Sequence, residues 1–136
     1  MSDILTVVLD TNVFVAAYWA RSSASARLVQ ACIDGYIRAF YSPEVKREVM
    51  HVLQTVKVSQ QYLDLMECFW QSAVAVDGVS VAPLRSPDPD DQKFLEAAAG
   101  GGVDYLVTND DHLLGIGYVG RTEILKPVSI LRVIGL

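Results

Sequence analysis

Four carboxylates carry the chemistry open to this sequence: Asp10, Glu48, Asp91 and Asp110. Asp10 closes a β-branched apolar run, Ile4 to Leu9, and Asp110 follows a second such run, Asp104 to Thr108. Glu48 and Asp91 fall in helical patterns. Carboxylates that converge in one crevice repel each other and lose hydration, a cost that a bound cation offsets. Their hard oxygen donors favour Mg2+ or Mn2+. A zinc site is not indicated, because Cys32 and Cys68 have no CxxC or His-spaced partner, and two cysteines make no disulfide framework. Both sit in apolar helical patterns and read as core thiols. Taken singly, each acid is equally a helix cap or a solvated loop residue; four at one sheet edge weaken that reading.

The elements that position these acids follow from periodicity. Ile4–Leu9 reads as a strand covered on both faces. Ala24–Asp34 has a helical apolar period, with Ser22, Ser23 or Ser25 as cap and Gly35 as stop. Tyr36–Tyr41 suits a strand, and Ser42-Pro43 provides an N-cap and first-turn proline for a helix to about Val56. Ser59–Val76 is amphipathic, Asp77-Gly78 a turn, Val79–Ala82 a short strand, and PLRSPDPD a loop. Asp91–Ala99 reads as a helix stopped by three glycines, Asp104–Thr108 and Arg121–Leu125 as strands, and Pro127–Ile134 as a closing helix. Alternating strands and helices predict one α/β domain over residues 1–136, a three-layer α/β/α arrangement around a mostly parallel sheet of four to five strands. Such sheets bind ligands beyond the carboxyl ends of their strands, the edge where Asp10 and Asp110 fall.

Helical geometry selects among neighbouring acids. Asp91 shares a face with Phe94, Leu95 and Ala98, so a carboxylate heads a buried stripe; Asp88 and Asp90 offer the same chemistry nearby, but their facing is less favourable. In the helix after Pro43, Glu48 lies about 80° from the apolar centre and Glu44 about 120°, which favours Glu48 and leaves Glu44 as the alternative.

Charge and hydropathy bound the remaining possibilities. The 136 residues are 51% hydrophobic with a net charge of −5. Seven acids face one base, Lys93, between Asp88 and Asp111, while the rest of the chain is nearly neutral. This argues against a nonspecific polyanion binder without excluding a nucleic-acid substrate. The longest apolar run, Val13 to Ala20, has eight residues, far short of a membrane span, and Met1-Ser2-Asp3 lacks a basic leader start, so a cytoplasmic protein is expected. Tyr18 and Trp19 read as core or dimer packing, with stacking on an unpaired base as the alternative.

VVLDTNVFVAA (7–17), YSPEVKREVMHVL (41–53), SPDPDDQKFLEAA (86–98) and DYLVTNDDHLL (104–114) resemble the PIN-domain family, above all the VapC-like toxin components of prokaryotic toxin–antitoxin pairs. The order and spacing of these stretches cover nearly the whole chain. The resemblance assigns Asp10, Glu48, Asp91 and Asp110 as catalytic and metal-binding acids, with Asn12, Ser42 and Thr108 as supporting polar residues. It implies an endoribonuclease using Mg2+ or Mn2+ to hydrolyse RNA phosphodiesters, with Thr108 or Asn12 orienting a water, as well as a homodimer and a cognate antitoxin partner. Arg21, Arg27, Lys46, Arg47, Arg85 and Arg121 are then candidate RNA-backbone contacts. Relatives often read TGDxDLL; here Asn109 replaces the glycine and His112 the second aspartate, which removes a fifth carboxylate. His112 reads as an exposed loop residue, with a substrate or metal contact as its alternative.

The rival reading is a catalytically silent PIN-like module that binds RNA or a protein partner; retention of all four acids argues against it. A dehalogenase-type phosphatase needs an acid where Asn12 stands, and a receiver domain needs a phosphoacceptor aspartate that Val56–Gln61 lacks. Gly100–Gly102 follows a helix, whereas a phosphate-binding loop precedes one.

Overall fold

The computed structural model describes residues 4–136, so the reading of Met1–Asp3 lies outside the described residues. The chain runs β1 (Leu5–Leu9), α1 (Thr11–Trp19), α2 (Ala24–Ile33), β2 (Ile37–Tyr41), α3 (Pro43–Val56), α4 (Gln60–Ser72) and β3 (Val74–Ala75). A 3-10 turn at Pro89–Asp91 then leads into α5 (Gln92–Gly101), β4 (Tyr105–Val107), α6 (Asp111–Leu114), β5 (Tyr118–Val119), β6 (Thr122–Leu125) and α7 (Pro127–Ile134). The sheet order is β3-β2-β1-β4-β6-β5, parallel except for the β5–β6 pair, and helices flank it as the alternating pattern predicts. β1 lies at its centre, buried from Val7 to Leu9, and α5 packs across β1, β2 and β4.

The sheet has six strands where four to five were expected, and both edge strands have only two residues, too few for a period-two signal. β5 joins β6 through a two-residue turn in which Gly120 takes a positive φ of 57°. β3 also departs from the expected strand at Val79–Ala82. Helix α4 stops at Ser72, and Val74–Ala75 pair with Phe40–Tyr41 instead, followed by a Val76 N–H bond to the Tyr41 carbonyl at 2.8 Å. The 79–82 segment crosses over α5, where Val79 N–H donates to the Glu96 carbonyl at 3.1 Å. That crossing requires glycine at position 100, since a Cβ there would lie 1.9 Å from the Asp77 carbonyl oxygen.

Helix α1 was not legible as a helix. Its sequence TNVFVAAYW is apolar on nearly every side, so no amphipathic stripe marks it. Its buried Phe14 meets Phe69 edge to face at 5.0 Å, and the Tyr62 hydroxyl donates to the Phe14 carbonyl at 2.6 Å. Tyr18 joins this packing 5.0 Å from Tyr62, whereas Trp19 is 68% exposed and does not belong to the core. Cys32 is a core thiol, its pKa pushed up to about 12 by burial. Cys68 is exposed, contrary to expectation. The buried face of α4 runs through Tyr62, Met66, Phe69 and Trp70, and position 68 lies about 145° from its centre.

Candidate active site

β1 and β4 are parallel neighbours with Leu9 opposite Val107, and Asp10 N–H extends the ladder to the Val107 carbonyl at 2.9 Å. This pairing sets Asp10 beside Thr108 at the carboxyl edge of the sheet, two residues before Asp110. Asp10 is 3% exposed. Its carboxylate caps α1 by accepting Thr11 N–H at 2.7 Å, and it also accepts the Thr108 hydroxyl at 2.7 Å and the Asn12 amide at 2.9 Å. Burial still pushes its pKa up to about 6: the Thr108 and Thr11 bonds offset part of the desolvation, while the charges of Glu48 and Asp110 add to it.

The loop after β4 is held by the same groups. Asp110 N–H donates to the Thr108 hydroxyl at 2.9 Å and Asn109 N–H to the Asn12 side-chain oxygen at 3.1 Å. Asp110 caps α6, accepting His112 N–H at 3.1 Å. Asp91 arrives from the 3-10 turn, one residue before the helix expected to begin with it, and heads the fully buried Phe94, Leu95 and Ala98. Its pKa is raised to about 7, first by burial, then by a hydrogen bond that its protonated form donates to Asp110, then by the charges of Asp10, Asp110 and Asp88.

Glu48 reaches the same cleft from α3, whereas Glu44 is exposed on the first turn and does not line it. Thr11 donates its hydroxyl to Glu48 Oε2 at 2.5 Å, and the Lys93 ammonium pairs with Oε1 while also donating to the Asp90 carbonyl at 2.7 Å. The cleft, about 800 Å³, is lined by all four acids and by Asn12, Ser23, Ser25, Asn109 and Lys126.

The supporting residues act differently from one another. Thr108 is fully buried and Asn12 is engaged with Asp10, so both hold the carboxylate rather than present a free group to a water. Ser42 does not line the cleft; its hydroxyl accepts Val45 N–H at 3.2 Å and so anchors the helix that carries Glu48. His112 is exposed, its ring 3.7 Å from Asp110.

The basic residues named from sequence do not ring the cleft. Arg21 and Arg27 line a separate groove with Tyr18 and Tyr62, and Arg85 lines another beside Ser86. Lys46 lies over the Tyr41 and Trp70 rings at 5.9 and 5.5 Å, and Arg47 is exposed on α3. Arg121 pairs at 2.5 Å with Asp104, at the opposite end of β4. The cations beside the acids are Lys93 and Lys126, neither of them among the RNA contacts expected from sequence. Lys126 follows β6 directly and obeys the sheet-edge rule that found Asp10 and Asp110. Lys93 meets Glu48 only through the packing of α5 on α3, which no local spacing encodes.

The donor set suits a hard divalent cation: four carboxylates, with Asp10 and Asp91 raised first by burial and further by neighbouring negative charge. Among the described residues, no three His, Cys, Asp or Glu side chains are gathered closely enough to grip an ion as they stand, and Glu48 is turned to Lys93 and Thr11. Among the described residues, too, no helix is long and apolar enough to cross a membrane.

The fold is shared with two solved structures. VapBC2 from Rickettsia felis, solved bound to a DNA fragment from their promoter, matches with a TM-score of 0.62 at 14% identity, over 90% of this chain and 98% of that one. PAE2754 from Pyrobaculum aerophilum matches with a TM-score of 0.59 at 14% identity, over 96% and 90%. No curated protein matches the sequence at a significant level. A sequence model of the PIN domain matches residues 6–112, from β1 into α6. Because that match spans most of the chain and takes in all four acids of the cleft, the chain belongs to the PIN domain family, whose members are generally nucleases.

Proposed function

We propose that this chain is an endoribonuclease that requires Mg2+ or Mn2+ and acts as the toxin of a toxin–antitoxin pair in the cytoplasm. The observation that carries the reading is the convergence of Asp10, Glu48, Asp91 and Asp110 on one open cleft at the sheet edge, with two of the four carboxyls held well above the usual range. Asp10, Asp91 and Asp110 are the first candidates to hold the ion, and Glu48 joins them once released from Lys93. A bound ion supplies Lewis acidity toward a phosphodiester and neutralises charge that develops on its oxygens. Thr108, Asn12 and Thr11 keep Asp10 in place, so the carboxylate needs little reorganisation when a cation arrives. Lys126, on the wall of the cleft, gives an RNA backbone a cationic contact. A homodimer and an antitoxin partner belong to the same reading; the likeness to VapBC2 supports the antitoxin.

The test is cleavage of a mixed pool of structured RNAs by purified protein in Mg2+, in Mn2+ and in EDTA, with Asp10→Asn as the contamination control. Metal-dependent cleavage that vanishes in the variant is the expected result. A folded protein that cuts nothing under any condition, and takes up no Mn2+, overturns it in favour of a silent RNA- or protein-binding module.

A further inference from the structure

Glu48 is the one acid of the four whose oxygens are both committed across helix boundaries. Lys93 of α5 holds Oε1 and Thr11 of α1 holds Oε2 at 2.5 Å. Lys93 is itself fixed from a second side by the Asp90 carbonyl at 2.7 Å. The Lys93 and Glu48 side chains are 26% and 25% exposed, so the pair is partly withdrawn from water, where a charge-assisted bond is stronger than at an open surface. Asp10, by contrast, is held by neutral donors, and among the described residues no lysine or arginine is paired with Asp110.

We propose that Lys93 is a positioning residue that sets the divalent-cation affinity of the cleft, because its ammonium holds one of the two Glu48 oxygens that an ion drawing on Glu48 would need. The inference rests on the metal-dependent reading above. A divalent ion that drew on this oxygen would have to break the Lys93–Glu48 pair, so its apparent affinity would be reduced by that cost. Lys93 thus supplies the counter-charge to Glu48 in the metal-free protein, and would give it up on loading. Of the four acids, Glu48 then becomes available only by exchange.

The test is calorimetric titration of the full chain with Mn2+ alone, without RNA, at fixed pH and salt, for the wild type, Lys93→Met, Glu48→Gln and the double variant. Lys93→Met is expected to bind Mn2+ about tenfold more tightly than the wild type, the scale of one charge-assisted hydrogen bond. That gain is expected to vanish when Glu48 is already glutamine. An equal gain in both backgrounds means that the lysine acts only as a distant charge and overturns the exchange, as does a Lys93→Met affinity no tighter than that of the wild type. No Mn2+ uptake by any of the four proteins overturns the metal reading itself, a distinguishable failure. Should Lys93→Met lose its helical circular dichroism, Lys93→Gln runs the same cycle.

Discussion

The Thr108 hydroxyl donates to Asp10 Oδ2 at 2.7 Å and accepts the backbone N–H of Asp110 at 2.9 Å, so one buried group ties together the acids that follow two adjacent strands. Thr108→Val keeps the shape and removes both bonds. It leaves a half-buried N–H and a buried carboxylate each short of a partner, at a cost of about 1–3 kcal/mol. The expected outcome is a lower urea midpoint together with at least a tenfold fall in cleavage rate, with Thr108→Ser restoring most of both. A Thr108→Val protein that cleaves at the wild-type rate would show that Asp10 does not need this anchor.

Asp10 links the site to stability through pH. Its pKa rises from 3.8 to about 6 on folding, mainly because it is buried. A carboxyl whose folded pKa exceeds its unfolded value stabilises the fold below the unfolded pKa, and that contribution is lost as pH rises through the folded one. In EDTA the wild type is therefore expected to be more stable at pH 4 than at pH 8, and Asp10→Asn to flatten that slope by on the order of 2 kcal/mol. Part of the dependence remains in the variant, because Asp91 is raised in the same direction. Urea denaturation of both proteins at the two pH values checks this, and the variant is expected to be folded but inactive in the RNA assay.

Glu48 lines the cleft and Glu44 does not, although both lie on α3. Glu48→Gln is expected to lower the cleavage rate by a hundredfold or more, an electrostatic loss of the size found when a preorganised charged group is removed. Glu44→Gln is expected to stay within about twofold of the wild type, as exposed substitutions usually do. Single-turnover rates at saturating Mn2+ rank the two, and the reverse order reassigns the ligand.

The parts of the molecule legible in the sequence are those governed by local rules. Ser42-Pro43 marks a real helix start and Gly102, the last of the three glycines, a real helix end, α5 running on through Gly100 and Gly101, and the apolar stripe through Phe94 and Leu95 aims Asp91 toward the cleft. Helix α1 escaped because an all-round apolar helix has no period to read, and β3 because two residues are too few to show one. The same division runs through the site. Asp10, Asp110 and Lys126 follow strands and can be found from strand ends, whereas the Lys93–Glu48 pair exists only in the packing of two helices distant in sequence. Counting cations along the chain therefore pointed to Arg21, Arg85 and Arg121, which face other surfaces.

Lys126 and Arg121 bracket β6, and their surroundings predict opposite behaviour toward RNA. Lys126 is exposed on the cleft wall, at the carboxyl edge shared with Asp110. Arg121 sits at the other edge, bound to Asp104. A lysine that meets one backbone phosphate releases about one counterion on binding, and removing it lowers the salt dependence of affinity by roughly that one contact. In an inactive Asp10→Asn background, Lys126→Ala is expected to weaken binding of single-stranded RNA about three- to tenfold and to flatten the log Kd against log salt plot by about 0.7. Arg121→Ala is expected to change neither. Fluorescence anisotropy across a salt series measures both quantities, and a loss confined to Arg121→Ala would move the RNA path to the opposite end of the sheet.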